Sequence, residues 1–271
     1  MIRILGIVNI TRDSFSDGRR YLEPAAAIEH ARRLLADGAD IIDVGAESTR
    51  PDADEVSAEE QIARLTPVVR ALKGDGAAVS VDAWRPLVMR HVLALGADFI
   101  NDVTALADPE AVAAVRDSTA RVILMHAVRA REHARAEPVD TDAATIVDRV
   151  LEFFGRRISE LTAAGMARER LILDPGMGLF IGRDPRVSLA VLRELPRLRA
   201  LGLPVLVSTS RKSFLGALLG PPDQPRPVDQ RGAGTLASEL WAALRGASYI
   251  RTHDVRALRD GLAVWNALSN R

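Results

Sequence analysis

The chain repeats one phrase eight times: a short β-branched run, a turn, a longer Ala/Leu/Arg-rich stretch, and a return to the next apolar run. The runs are Ile2–Val8, Asp40–Val44, Ala78–Val81, Phe99–Val103, Arg121–Met125, Leu171–Leu173, Pro204–Val207 and Tyr249–Thr252. Short continuous apolar runs suit strands buried on both faces, as in a parallel sheet covered by helices. The intervening stretches have helical spacing. Residues 24–37 place Ala27, Ala31, Leu34 and Leu35 on one face, and Gly38 follows as a C-cap. The same ending recurs at Gly96, Gly165, Gly202 and Gly246. Eight strand–helix units favour closure into a barrel, and no GxGxxG follows the first run to favour an open nucleotide-binding sheet. The expected fold is α/β, a (β/α)8 TIM barrel.

With 271 residues, residues 1–271 are expected to form a single domain, since such barrels run to about 250 residues as one unit. Residues 126–143 and 219–233 make the two longest connections and are expected to be excursions within that domain. The 36 Lys+Arg balance 36 Asp+Glu, so nothing points to nucleic acid or an anionic membrane surface. With no cysteine there is no disulfide or thiolate chemistry, and the five histidines show no HxxxH spacing. The opening MIRILGIVNITRDSF has too short an apolar run for a signal peptide. No stretch approaches the roughly 20 apolar residues of a membrane span, and a soluble, cytoplasmic protein is expected.

Active sites of such barrels lie at the carboxyl ends of the strands. Here every end is polar: Asn9; Glu47 to Arg50; Asp82; Asn101 and Asp102; His126; Asp174; Ser208, Ser210, Arg211 and Lys212; then Arg251, His253 and Asp254. Asp82, Asn101 and Asp174 suit a flat heterocycle with amidine-like N–H groups, since a carboxylate accepts two parallel bonds from such an edge. Arg50, Arg211, Lys212, Arg251 and His253 suit a di- or triphosphate. Asn9 is a neutral oxygen donor that could sit near Mg²⁺ arriving with phosphate. Asp43 and Asp102 read as structural, bonding a cation or capping backbone N–H groups. His30, His91 and His133 read as surface or solvated groups, and His126 as either a site group or packing beneath the site. Trp84, Trp241 and Trp265 read as core or interface aromatics.

Read in order, the segments GIVNITRDSFSDG, DIIDVGAESTRP, VSVDA, FINDV, LMH, LDPGMG, SRKSFLG and RTHDV closely resemble the dihydropteroate synthase family from residue 4 to about residue 268. The resemblance implies condensation of 6-hydroxymethyl-7,8-dihydropterin pyrophosphate with para-aminobenzoate. It assigns Asp82, Asn101, Asp174 and Lys212 to the pterin, and Asn9, Arg50, Arg251 and His253 to pyrophosphate, with Mg²⁺ at Asn9. Phe15, Thr49, Arg50, Pro51, Leu179, Lys212 and Ser210 would border the aminobenzoate, with Asp82, Lys212, Arg251 and His253 as the catalytic set. It also implies a homodimer through outer helices, and two mobile loops, Thr11–Tyr21 and Thr49–Val56.

Several positions depart from the family pattern. Arg12 replaces a usual Pro, Ala46 and Asp52 replace glycines, and Ala83 replaces a Thr. In GMGLFIGRD (Gly176–Asp184), Leu179 occupies the aromatic position over the aminobenzoate and Ile181 that of a Lys, with Phe180 one residue along. These changes are expected to alter the aminobenzoate and sulfonamide pocket and to leave the pterin pocket intact. Two alternatives share the pterin set: a pterin-dependent methyltransferase, which needs no anion site, and a pterin-binding paralogue without synthase activity.

Overall fold

The computed structural model describes residues 2–10, 24–48, 54–128, 139–221 and 223–269. Eight strands form one parallel sheet: β1 (Arg3–Asn9), β2 (Ile41–Gly45), β3 (Val79–Asp82), β4 (Phe99–Asp102), β5 (Arg121–Met125), β6 (Leu171–Asp174), β7 (Leu206–Val207) and β8 (Tyr249–Thr252). Their order is β6-β5-β4-β3-β2-β1-β8-β7. A single bridge between Leu173 and Val205 brings the two edges together, so the sheet is a nearly closed barrel.

Helices cover its outside: α1 (Pro24–Ala36), α2 (Ala58–Gly74), α3 (Pro86–Ala94), α4 (Pro109–Arg116), α5 (Ile146–Ala163), α6 (Pro185–Arg193), α7 (Leu195–Arg199), α8 (Ser213–Leu219), α9 (Gly232–Leu244) and α10 (Val255–Leu268). Gly38, Gly96, Gly165, Gly202 and Gly246 all adopt the left-handed conformation, with φ from 73° to 100°. At Gly38 the helix closes through Gly38 N–H to the Leu35 carbonyl and Ala39 N–H to Leu34. These bonds satisfy carbonyls that the helix end leaves free.

Five strands extend or end one residue away from the expectation. β1, β2, β3 and β6 run one residue further, so Asn9, Asp82 and Asp174 lie in the strands themselves. β4 stops at Asp102, where the carboxylate takes the N–H groups of Thr104 and Leu106. β7 is half the expected length, because Pro204 has no N–H for the ladder and Val205 forms an isolated bridge to Leu173, its carbonyl accepting the Ser248 and Tyr249 N–H groups.

The period-two alternation of strand side chains separates two packing layers. Ile4, Val8, Ile42, Val44, Val79, Val81, Ile100, Val122, Leu124, Leu173, Val207 and Ile250 face the helices and join the main core. Leu5, Ile41, Phe99, Ile123, Ile172, Leu206 and Tyr249 form a separate cluster inside the barrel. This floor seals the amino-terminal end. The Tyr249 hydroxyl accepts a bond from Arg121, and Arg3 lies 5.8 Å from the Tyr249 ring centre.

Candidate active site

Two residues above the floor the same inward face carries Asp43, Ser80, Asn101, Asp174 and Arg251, and one step higher stand Asn9 and Asp82. An apolar floor under a polar layer makes a pocket whose electrostatics are undiluted by bulk water.

Asp43 is the centre of that layer. It is fully buried and accepts bonds from the Ser80 hydroxyl, from Asn101 Nδ2 at 3.4 Å and from Arg251 Nε at 2.6 Å. Arg251 also reaches Asp82 through Nη2 at 3.2 Å. One guanidinium thus spans two carboxylates across the mouth. Of the two structural roles the sequence offers Asp43, bonding a cation or capping backbone N–H groups, the first is the one it fills, with Arg251. Its position two residues above Ile41, on the same inward face, was the signal that it belongs to the site.

Burial pushes the Asp82 carboxyl up to about 7, against the opposing pull of Arg251 and with the push of Asp43 and Asp102. Burial also raises Asp174 to about 6, opposed by the Gly176 N–H and by Lys212. The Lys212 ammonium goes the other way, to about 8, because it is buried and faces Arg251, with Asp174 and Asp82 partly restoring it. Its Nζ lies 4.8 Å from the centre of the Phe180 ring, a cation–π contact. Three groups that would otherwise titrate far from neutrality are drawn into one narrow range. Such convergence marks functional sites.

The turn after β6 explains the remaining geometry. Asp174 accepts the Gly176 N–H at 2.8 Å. Gly176 has φ 72°, and a Cβ there would lie 2.2 Å from the His126 carbonyl oxygen, so only glycine fits. A short 3-10 turn over Gly178–Phe180 then buries Phe180 and leaves Leu179 partly buried at its edge. The aromatic ring of this segment therefore lies against Lys212. His126 packs beneath this turn, its ring 5.0 Å edge-on from Phe153, and burial lowers its pKa to about 4.

At the other side of the mouth, Ser210 Oγ lies 2.9 Å from His253 Nδ1. Burial and the neighbouring Arg211, Arg251 and Lys212 hold His253 down to about 3. The loop carrying Lys212 is pinned by Arg231, whose Nη1 donates to the Arg211 and Lys212 carbonyls at 2.9 and 3.3 Å. Gly216 leaves the space that this guanidinium fills. Arg231 lies in a charged, Pro-rich loop whose sequence carries no signal of this role. Asp102 stands beside the pocket holding the turn in which Ala105 and Leu106 have positive φ, and Arg157 takes the carbonyls of both residues.

Of the residues singled out by sequence, the structure brings together Asp82, Asn101, Asp174, Lys212, Ser210, Arg251 and His253, with Leu179 at the edge and Asn9 exposed at the end of β1. Phe15, Thr49, Arg50 and Pro51, like Arg12, Asp52, His133 and most of the two loops, lie outside the described residues. Glu47 accepts bonds from Val56 N–H, Gln61, Trp84 and Arg85, and so ties the far end of the second loop to the barrel.

A carboxylate–amide–carboxylate set thus stands beside a half-buried lysine, with arginine and histidine at the rim. The family described as pterin binding enzyme matches residues 5–253. The dihydropteroate synthase type-2 of Escherichia coli is 49% identical over 266 residues, which cover 98% of this chain and 95% of that protein. The chain belongs to the dihydropteroate synthase family. Among solved dihydropteroate synthases, that of Xanthomonas albilineans with 4-aminobenzoic acid superposes with a TM-score of 0.88 at 42% identity. The match covers 99% of this chain and 93% of that one. The same enzyme in complex with 7,8-dihydropteroate gives 0.85 at 40% identity, covering 99% and 94%. Of the alternatives weighed from the sequence, the synthase reading is the one these relatives carry. Among the described residues no helix is long and apolar enough to cross a membrane.

Proposed function

We propose that this chain, acting as one domain, condenses 6-hydroxymethyl-7,8-dihydropterin pyrophosphate with para-aminobenzoate to give 7,8-dihydropteroate and pyrophosphate. The observation that carries the reading is the convergence of Asp82, Asp174 and Lys212 in one buried pocket, each displaced toward neutrality. Asp82, Asn101 and Asp174 accept and donate to the pterin edge, and Lys212 closes the pocket from the rim. Departure of pyrophosphate leaves a methylene conjugated with the ring, so positive charge spreads over the pterin. The Asp82 and Asp174 carboxylates stabilise that charge, while Arg251 and His253 hold the leaving oxygens. Such preorganised groups are typically worth about 3–4 kcal/mol each in the transition state.

Mg²⁺ fits the same mouth. Asn9 Oδ1 and Asp82 Oδ2 converge above Gly45, where a Cβ would meet them at 3.7 and 3.9 Å. No cluster of three His, Cys, Asp or Glu suited to a metal occurs among the described residues. Magnesium usually keeps several waters and binds through one or two carboxylates plus substrate phosphates, and here Asp82 beside the neutral oxygen of Asn9 would hold it. When bound, the ion supplies positive charge to the leaving oxygens. The aminobenzoate side is assigned to Leu179 and Ser210, with Phe15, Thr49, Arg50 and Pro51 from the two loops; Arg50 also serves the pyrophosphate.

A homodimer and a cytoplasmic location complete the proposal. The outer faces of α9 and α10 expose Trp241, Leu244, Val264, Trp265 and Leu268, and apolar patches of this kind mark protein interfaces. Trp265→Glu is expected to shift sedimentation from dimer to monomer. The decisive assay follows pyrophosphate and dihydropteroate together in the presence of Mg²⁺. Equal amounts of both, lost in Asp82→Ala and Lys212→Ala, are expected. Pterin binding without coupled product would replace the synthase by a pterin-binding paralogue.

A further inference from the structure

The chain passes from β7 to α8 through one four-residue turn, Thr209–Lys212, and this turn carries both Ser210 and Lys212 to the mouth. Lys212 N–H closes it on the Thr209 carbonyl at 3.1 Å. Its third residue, Arg211, has φ 59°, a conformation that such turns normally give to glycine or asparagine. In an arginine the Cβ crowds the backbone there. Strained residues of this sort persist only where their surroundings over-determine them.

The hold comes from one face of α9. Arg231, the N-cap of that helix, Thr235 and Ser238 are spaced i, i+4 and i+7, and so stand in one row. Each meets one step of the turn. Ser238 Oγ lies 2.8 Å from Thr209 Oγ1, and Thr235 Oγ1 accepts the Arg211 N–H at 3.0 Å. Arg231 Nη1 donates to the Arg211 and Lys212 carbonyls, a fork that a guanidinium fits and a rotating ammonium does not. Thr235 is buried, and its hydroxyl serves the turn rather than the solvent. Arg231 is itself held. Its Nε donates to the Arg226 carbonyl at 2.8 Å, while the Arg226 N–H donates to the Gly216 carbonyl at 2.9 Å. A Cβ at Gly216 would lie 2.5 Å from Arg231 Nη2. The long connection between α8 and α9 is thereby folded back on α8, and its last residue becomes part of the lysine's support.

We propose that Arg231 and Thr235 are positioning residues, a rail on α9 that holds Arg211 in the left-handed conformation and so keeps the Lys212 ammonium in the mouth against the Phe180 ring. Neither touches the reacting groups; both act through the turn. Relaxation of Arg211 to negative φ breaks its N–H bond to Thr235 and reorients the peptide on its amino side. Ser210 and Lys212, on either side of Arg211, then no longer face the mouth together. The effect of the rail on the reaction rests on the synthase reading; the posture of Lys212 does not.

The sequence holds two lysines, Lys73 and Lys212, so the full chain labelled with carbon-13 at lysine Cε gives two ε-methylene signals, and Lys73→Arg assigns them. Lys212 Nζ lies over the Phe180 ring face, 4.8 Å from its centre. Its ε protons are therefore expected upfield of those of Lys73, a displacement lost in Phe180→Leu. The near-isosteric Thr235→Val removes the acceptor of the Arg211 N–H, and Arg231→Met removes the fork. Both are expected to lose most of the displacement, with the Lys73 signal, paired to Asp98, unmoved. Thr235→Ser keeps the hydroxyl and is expected to keep the displacement. In the assay, kcat/KM for the pterin substrate should fall about fivefold in Thr235→Val and about tenfold or more in Arg231→Met, as for one hydrogen bond and for bonds from a charged group. An unmoved Lys212 signal in both variants would overturn the proposal, as would equal losses in Thr235→Ser and Thr235→Val. If Arg231→Met does not fold, the comparison of Thr235→Val with Thr235→Ser decides alone. Lysine signals that move as expected in a protein without synthase activity would uphold the rail and count against the synthase reading.

Discussion

The bond between Asp43 and Arg251 can be tested as an energy. Asp43 is fully buried and the Arg251 side chain is 15% exposed, so neither ion recovers its hydration when the other is lost. Breaking a buried pair by removing one partner costs about 3–5 kcal/mol. Asp43→Asn belongs at or below the lower end, about 2–3 kcal/mol, because Asp82 remains within 3.2 Å of Arg251 and continues to neutralise it. Arg251→Met leaves Asp43 without its bonded cation and Asp82 with Lys212 alone, and is expected to cost ~3 kcal/mol or more. The double variant removes the stranded charge created by each single change. It is therefore expected to fall short of the sum by ~2 kcal/mol, well beyond the roughly 0.3–0.5 kcal/mol of independent sites. Urea unfolding at pH 7, followed by tryptophan fluorescence and far-ultraviolet circular dichroism, would measure the cycle. Additivity within that narrow range would refute the view that Asp43 and Arg251 form one electrostatic unit.

Gly176→Ala should cost several kcal/mol and most activity. The left-handed conformation alone disfavours a Cβ by about 1–2 kcal/mol, and the His126 carbonyl must also move; unchanged unfolding and turnover would contradict this. The pH profile of kcat/KM for the pterin substrate should be a narrow bell. Its acid limb rises as Asp174 and Asp82 ionise at about 6 and 7, and its alkaline limb falls as Lys212 loses its proton at about 8. In Lys212→Arg the alkaline limb should recede toward higher pH, and a limb that stays in place would assign it to another group. Leu179→Phe should tighten aminobenzoate binding by ~1 kcal/mol if ring packing there is what the pocket lacks, with equal affinities in titration calorimetry ruling that out.

The barrel was legible because its two demands fall on alternate residues. Val79 and Val81 must be apolar to meet the helices, while Ser80 and Asp82, which alternate with them, are free to be polar. The glycines that end the helices were equally plain, since each needs a positive φ. Strand ends were misjudged by one residue because Asn9, Asp82 and Asp174 look like turn residues and yet still pair in the ladder. Asp43 is harder to read, since a carboxylate inside an apolar segment does not reveal which cation it faces, and its partner Arg251 lies far away along the chain. Phe180 illustrates the remaining difficulty. Its ring is one position from the expected aromatic, and only the short helical turn decides that it lies against Lys212.

The seam between β6 and β7 separates the carboxylate of Asp174 from the loop that carries Ser210 and Lys212. Elsewhere neighbouring strands are laced by ladder bonds, but here one bridge and the Leu173 N–H to Pro204 carbonyl bond hold the edges together. It is the joint in the hoop: Asp174 and Lys212 stand on edges joined by one bridge and one further backbone bond rather than by a continuous ladder.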